Sequence, residues 1–212
     1  MTTKRAETYR RHKSGKLMAV DLDNTLVRGN TLHIYIIEGM RRATLPRRLA
    51  MLWLLLLRRL RLISHVTMKF GCLRRIDHDD PALQSAFARR IRFMLSKAVQ
   101  ERIGDYDGDM LLATAAADVY VPLIWDGPYL ATPTFHNPRR EEMRGQAKAD
   151  AVLSYAQENR LRLDTVLTDH VDDLPLLSIP GIRPVLVNPT DKTLDALPPI
   201  PGLEILRDGA NT

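Results

Sequence analysis

Lys16-Leu17-Met18-Ala19-Val20-Asp21-Leu22-Asp23-Asn24-Thr25 runs from a short apolar stretch straight into two carboxylates two positions apart. A run of this length, bounded by polar residues, reads as a buried strand. Three further runs have the same form: Met110 to Ala113 ending at Thr114, Thr165 to Thr168 ending at Asp169, and Arg183 to Val187 ending at Asn188-Pro189. A helical pattern, Ala147 to Asn159, lies between the later runs, and Leu203 to Leu206 could add a last strand. Strands alternating with helices imply a doubly wound parallel α/β sheet with helices on its faces. In such Rossmann-like folds ligands bind beyond the carboxyl ends of the strands, so Asp21, Thr114 and Asp169 are expected to gather at one place.

Residues 29–104 interrupt the alternation and show no strand pattern. Leu45-Pro46 followed by Arg47 to Ile63 reads as one helix. Asp80 and Pro81 suit the N-cap and first position of another, which could run to about Ile103. The expected organisation is a flexible basic tail over 1–15, an α/β core from 16–28 and 105–212, and a helical cap inserted over 29–104, its last helix placed to pack on the core. Trp53 and the leucines around it are expected to form the cap's interior.

Composition narrows the function. One cysteine, Cys72, excludes a disulfide framework and any zinc site built on several cysteines, and fits a reducing cytoplasm. Residues 1–16 are basic with no apolar run behind them, so no signal peptide is expected. The longest apolar run, Leu49 to Leu57, has nine residues, against the roughly 20 a membrane span needs. Residues 1–103 carry 22 Lys and Arg against 8 Asp and Glu, whereas residues 104–212 carry 9 against 17. The basic half invites an anionic partner, or its arginines merely cover helix surfaces. Aromatic residues are few and not interleaved with the basic ones, so nucleic acid has no stacking platform.

The chemistry lies in the polar residues at the strand ends. Asp21 and Asp23 at a turn can face one site, one attacking phosphorus and binding a metal, the other moving the leaving oxygen's proton. The Thr114 hydroxyl and the N–H groups after it can bond phosphate oxygens. Lys148, at the start of a helix, can neutralise phosphate and carboxylate together. Asp169, Asp172 and Asp173 put three carboxylates in five residues, which repel unless a cation holds them. His33, His65, His78 and His136 show no ligand spacing and read as surface or packing residues, and His170 is expected either to line the mouth of the site or to pack on a helix.

Strand–DxDxT, strand–Thr, Lys at a helix start and strand–DxxDD, in that order, resemble the haloacid-dehalogenase (HAD) superfamily of phosphohydrolases. The resemblance runs from Lys16 to Pro189, and the helical insertion resembles the cap of the phosphoserine-phosphatase-like branch. It implies a phosphatase working through an aspartyl-phosphate on Asp21. Asp23 would be general acid and base, with Thr114 and Lys148 holding the phosphoryl group. Mg²⁺ would sit on Asp21, the Asp23 carbonyl and Asp169, with Asp172 and Asp173 in support. The same residues would serve a phosphotransferase. Phosphoserine phosphatases carry an acidic residue nine positions after the nucleophile to bind the substrate amine. Asn30 stands there in this chain, which argues against phosphoserine and leaves a small phosphomonoester of another kind as the expected partner. A different class of reading is a module binding anions or a membrane surface through the basic cap, whose leucine run Arg47, Arg48, Arg58, Arg59 and Arg61 flank.

Overall fold

The computed structural model describes residues 14–135, 137 and 141–208. Most of the expected basic tail, and His136, lie outside them. The chain runs β1 (Lys16–Val20), α1 (Thr31–Arg42), α2 (Leu45–Arg59), α3 (His65–Leu73), α4 (Pro81–Arg92), α5 (Lys97–Gly104), β2 (Asp109–Ala117) and β3 (Tyr129–Thr132). It continues through α6 (Gly145–Glu158), β4 (Arg162–Thr168), α7 (Leu174–Leu177), β5 (Arg183–Val187), α8 (Asp191–Ala196) and β6 (Glu204–Leu206).

The six strands form one sheet in the order β3-β2-β1-β4-β5-β6, and every pairing is parallel. β1 lies inside it, between β2 and β4, and its side chains alternate between two cores. Met18 and Val20 join Tyr35, Phe87, Ile91 and Tyr120 on one face, while Leu17 and Ala19 join Ala149, Val152, Leu176 and Leu177 on the other. This two-sided burial explains why β1 reads as continuously apolar rather than alternating. Each fully buried leucine there contributes about 1.5–3 kcal/mol. The chain turns to one side of β1 for β2 and to the other for β4, so Asp21 emerges at the point where the winding reverses.

Four expectations need correction. Thr114 does not end its strand: β2 continues to Ala117, with an irregular register against β3 between Ala113 and Ala117. α2 stops at Arg59, and Arg61 takes φ +60°, which breaks the expected run to Ile63. The helix opened by Asp80, whose side chain accepts from Ala82 N, ends at Arg92, and α5 starts afresh on a Ser96 cap that accepts from Val99 N. Trp53 lies outside rather than within, 59% exposed.

The break at 93–96 has a physical cause. Arg28 N donates to Met94 O at 2.7 Å, Ser96 N donates to Leu26 O at 2.9 Å, and Val27 and Leu95 form an antiparallel bridge. The segment leaving β1 and the segment returning toward β2 are thus bonded to each other. Gly29 between them adopts φ +133°, and a Cβ there would come within 2.8 Å of Met94 Cε. The Asp208 carboxylate fastens α5 from below, accepting from Ser96 Oγ at 2.8 Å and Ala98 N at 3.1 Å.

Candidate active site

Asp21 stands directly beyond β1, its N–H donating to Leu167 O at 2.9 Å. The chain then loops, with Asn24 in the left-handed region at φ 56°, a conformation asparagine tolerates. The loop returns to the start of α1, where Thr31 N donates to Asp23 Oδ1 at 2.7 Å. Asp23 is therefore held by a helix N-terminus, where a carboxylate is favoured. Asn30 caps the same helix, its Oδ1 accepting from His33 N at 2.9 Å.

Lys148, in the first turn of α6, is 3% exposed and bridges two carboxylates: Asp21 Oδ1 at 2.7 Å and Asp173 Oδ2 at 2.6 Å. Thr168 Oγ1 also donates to Asp173 Oδ2, at 2.6 Å. Burial alone would pull the Lys148 ammonium down, but Asp21 and Asp173 outweigh it and hold it above its ordinary range. Asp21 is pushed up to about 7 by burial, with Lys148 opposing and Asp173 adding to the rise. Burial likewise raises Asp23 and lifts Asp169 to about 6, opposed in the latter by Asn24. Buried carboxylates this crowded call for more positive charge than one lysine supplies.

The clamp makes a prediction. With chelator present, Lys148→Met should lower unfolding stability by about 3–5 kcal/mol, the scale of leaving buried charge unpaired. Urea unfolding measures this, and a loss below about 1 kcal/mol would mean that water reaches the two carboxylates freely.

A cavity of about 240 Å³ is lined by Asp21, Asp23, Lys148, Asp169, Asp172 and Asp173 together. Thr114 is set apart from this group. Its hydroxyl is buried, accepts from Ala116 N at 3.0 Å, and stands behind a wall made by Ala115 and Ala116. Asp172 is half exposed, its N–H donating to His170 Nδ1 at 3.1 Å. His170 takes the first of its two expected placements, half exposed and bordering the cavity.

Sequence reasoning missed a second ion pair in this cavity. Lys69 on α3 is 2% exposed and donates to Glu142 Oε1 and to Ala115 O, each at 2.7 Å. His65, four residues earlier, is exposed as expected, yet lies 3.9 Å from the same Glu142 oxygen and also lines the site. The available signal was a lysine between Met68 and Phe70 in an otherwise apolar turn. On the other side, Asn24, Asp169 and His170 also border a larger cavity of about 770 Å³, with Arg28 and Lys192 in its walls.

Among the described residues no three His, Cys, Asp or Glu side chains converge on a metal position. The donor set at this site is of another kind: Asp21, Asp23 and Asp169 line one cavity. Oxygen donors of this sort, with space for water, fit Mg²⁺.

No protein-family model and no curated protein matches the chain. Solved structures do. A HAD family hydrolase from Salmonella enterica serovar Typhi is 12% identical over 88% of this chain, with a TM-score of 0.61, and the chain spans 66% of that protein's length. A protein of unknown function from Bordetella pertussis Tohama I is 18% identical over 90% of this chain and 97% of its own, with a TM-score of 0.64. A phospho-aspartyl intermediate analogue of phosphoserine phosphatase is 12% identical over 94% of each chain, with a TM-score of 0.57. Sheet order and these likenesses together show that the chain has the α/β fold of the HAD family hydrolase and of phosphoserine phosphatase.

Proposed function

We propose that this chain is a magnesium-dependent phosphomonoester hydrolase that works through an aspartyl-phosphate on Asp21. The observation that carries the reading is the Lys148 bridge between Asp21 and Asp173, at the carboxyl end of β1. It fixes one Asp21 oxygen and leaves the carboxylate facing a polar cavity that also holds Asp23 and Asp169. The fold supports it, since a structure with that fold is a phospho-aspartyl intermediate analogue.

In this reading an Asp21 oxygen attacks phosphorus. The bond from phosphorus to the leaving oxygen breaks as the Asp21–phosphorus bond forms, and Asp23 gives that oxygen its proton. Asp23 then takes a proton from water, whose oxygen attacks phosphorus, releasing inorganic phosphate and restoring Asp21. Lys148 offsets charge on the phosphoryl oxygens. Ala115 and Ala116 line the cavity, whereas the Thr114 hydroxyl, which accepts from Ala116 N, does not border it. Mg²⁺, held by Asp21, the Asp23 carbonyl and Asp169, would neutralise the charge that gathers on those oxygens. Residues 29–104 form the cap and supply contacts to the rest of the substrate, with Lys69 and His65 from α3 and Asn30 at the start of α1.

Substrate choice follows from those contacts. Asn30 is a neutral helix cap and offers no charge to an ammonium group. Lys69, Arg144 and His65 surround Glu142 at the wall, which suits an anionic or partly apolar phosphomonoester better. A panel of aryl, sugar, nucleotide and lipid phosphates tests both points. The purified chain should hydrolyse an aryl phosphate in Mg²⁺, and phosphoserine should trail the best substrate in kcat/KM by at least about tenfold, the worth of one charge-assisted hydrogen bond. No phosphate release from any member would sink the hydrolase reading, and phosphoserine leading the panel would sink the argument from Asn30.

A further inference from the structure

The outer face of α2 is apolar. Leu45, Leu49, Leu52, Trp53, Leu56 and Leu60 recur at helical spacing and are each between 44% and 66% exposed. Met51 faces inward instead, and Leu54 sits against α3, where a Cβ on Gly71 would meet its Cδ1 at 2.7 Å. Leu62, 67% exposed, extends the stripe past the helix end. A helix that covers a core buries such a stripe, and one that turns it outward marks a contact surface.

Charge identifies what the stripe meets. From Gly39 to Ile76 the chain has ten basic residues and no acidic one. Arg47 stands exposed in the first turn of α2, and Arg58, Arg59 and Arg61 stand exposed at and just past its end. A second copy of this chain would bring the same cations face to face across a two-fold interface, which is repulsive. An anionic bilayer surface complements both features, apolar stripe toward the acyl chains and guanidinium groups toward the phosphates. At 15 residues the helix is about 22 Å long, short of the roughly 30 Å hydrocarbon core. Among the described residues no helix is long and apolar enough to cross a membrane.

We propose that α2 docks this protein on anionic membrane surfaces, lying in the interface plane with its leucine and tryptophan stripe at the acyl boundary. The proposal does not depend on the hydrolase reading. It does connect to the site, because α3, which follows α2 directly, carries His65 and Lys69 into the cavity.

Flotation of the full chain with phosphatidylcholine vesicles, with or without about a third phosphatidylglycerol, tests it. Trp53 serves as reporter, since Trp125, the second of the two tryptophans, is 6% exposed and bonded to Pro128 O at 2.9 Å. The chain should float with the anionic vesicles, less with the neutral ones and less at high salt, and Trp53 emission should shift blue and be quenched by brominated acyl chains. Leu49→Glu with Leu56→Glu should cut partitioning by at least about tenfold while circular-dichroism melting stays unchanged. Arg58→Glu with Arg59→Glu should weaken binding and flatten its salt dependence. Absence of the parent from the anionic vesicle fraction would overturn the proposal. So would a concentration-dependent dimer, broken by the same leucine changes, with no vesicle binding.

Discussion

Asp21→Asn is expected to lower turnover at least about a thousandfold, the scale of losing an enzymic nucleophile. The amide is almost isosteric and neutral, so the fold should survive, and the melting temperature serves as the control. Asparagine cannot form the acyl phosphate, and it also weakens the 2.7 Å contact with Lys148. Fluoroberyllate separates these two effects. It mimics a phosphorylated carboxylate, so in Mg²⁺ it should raise the melting temperature of the parent and leave the variant unmoved. Activity in the variant within tenfold of the parent would show that another group attacks phosphorus.

Metal withdrawal should be nearly as costly. Asp21 and Asp169 share one cavity, and each is raised above the ordinary carboxylate range, burial leading in both cases. Chelation should reduce turnover by at least about a hundredfold, and added Mg²⁺ should restore it. Asp169→Ala should raise the Mg²⁺ concentration needed for half activity while leaving circular dichroism unchanged. Full activity after exhaustive chelation would overturn the metal assignment.

What the sequence made legible was local. β1 with its DxDxT turn, the later apolar runs, the cap at Asp80 and the strand end at Asn188-Pro189 each lie within a few consecutive residues, where propensity and periodicity act. β3 was missed because Tyr129–Thr132 is only four residues long and lies at the sheet's edge, pairing with β2 alone. The break between α4 and α5 was missed because its cause is distant, in the backbone of Leu26 and Arg28. Lys69 and Glu142 are 73 positions apart, and only the finished fold shows that they meet. Trp53 and its leucines were placed inside because exposed apolar stripes are uncommon in soluble domains, and periodicity does not say which way a stripe points.

The paired crossing at Leu26–Arg28 and Met94–Ser96 has a mechanical meaning. It closes the excursion from α1 to α4 into a loop whose two ends are tied together, so the helices leave the sheet and rejoin it at one place. Tyr35, Phe87 and Ile91 pin that loop to the β1 face, and the Lys69 bond to Ala115 O pins it again at β2, so His65 and Lys69 reach the cavity from a base fixed at three points. Gly29, with Met94 Cε where a side chain would go, lets the two ends lie this close.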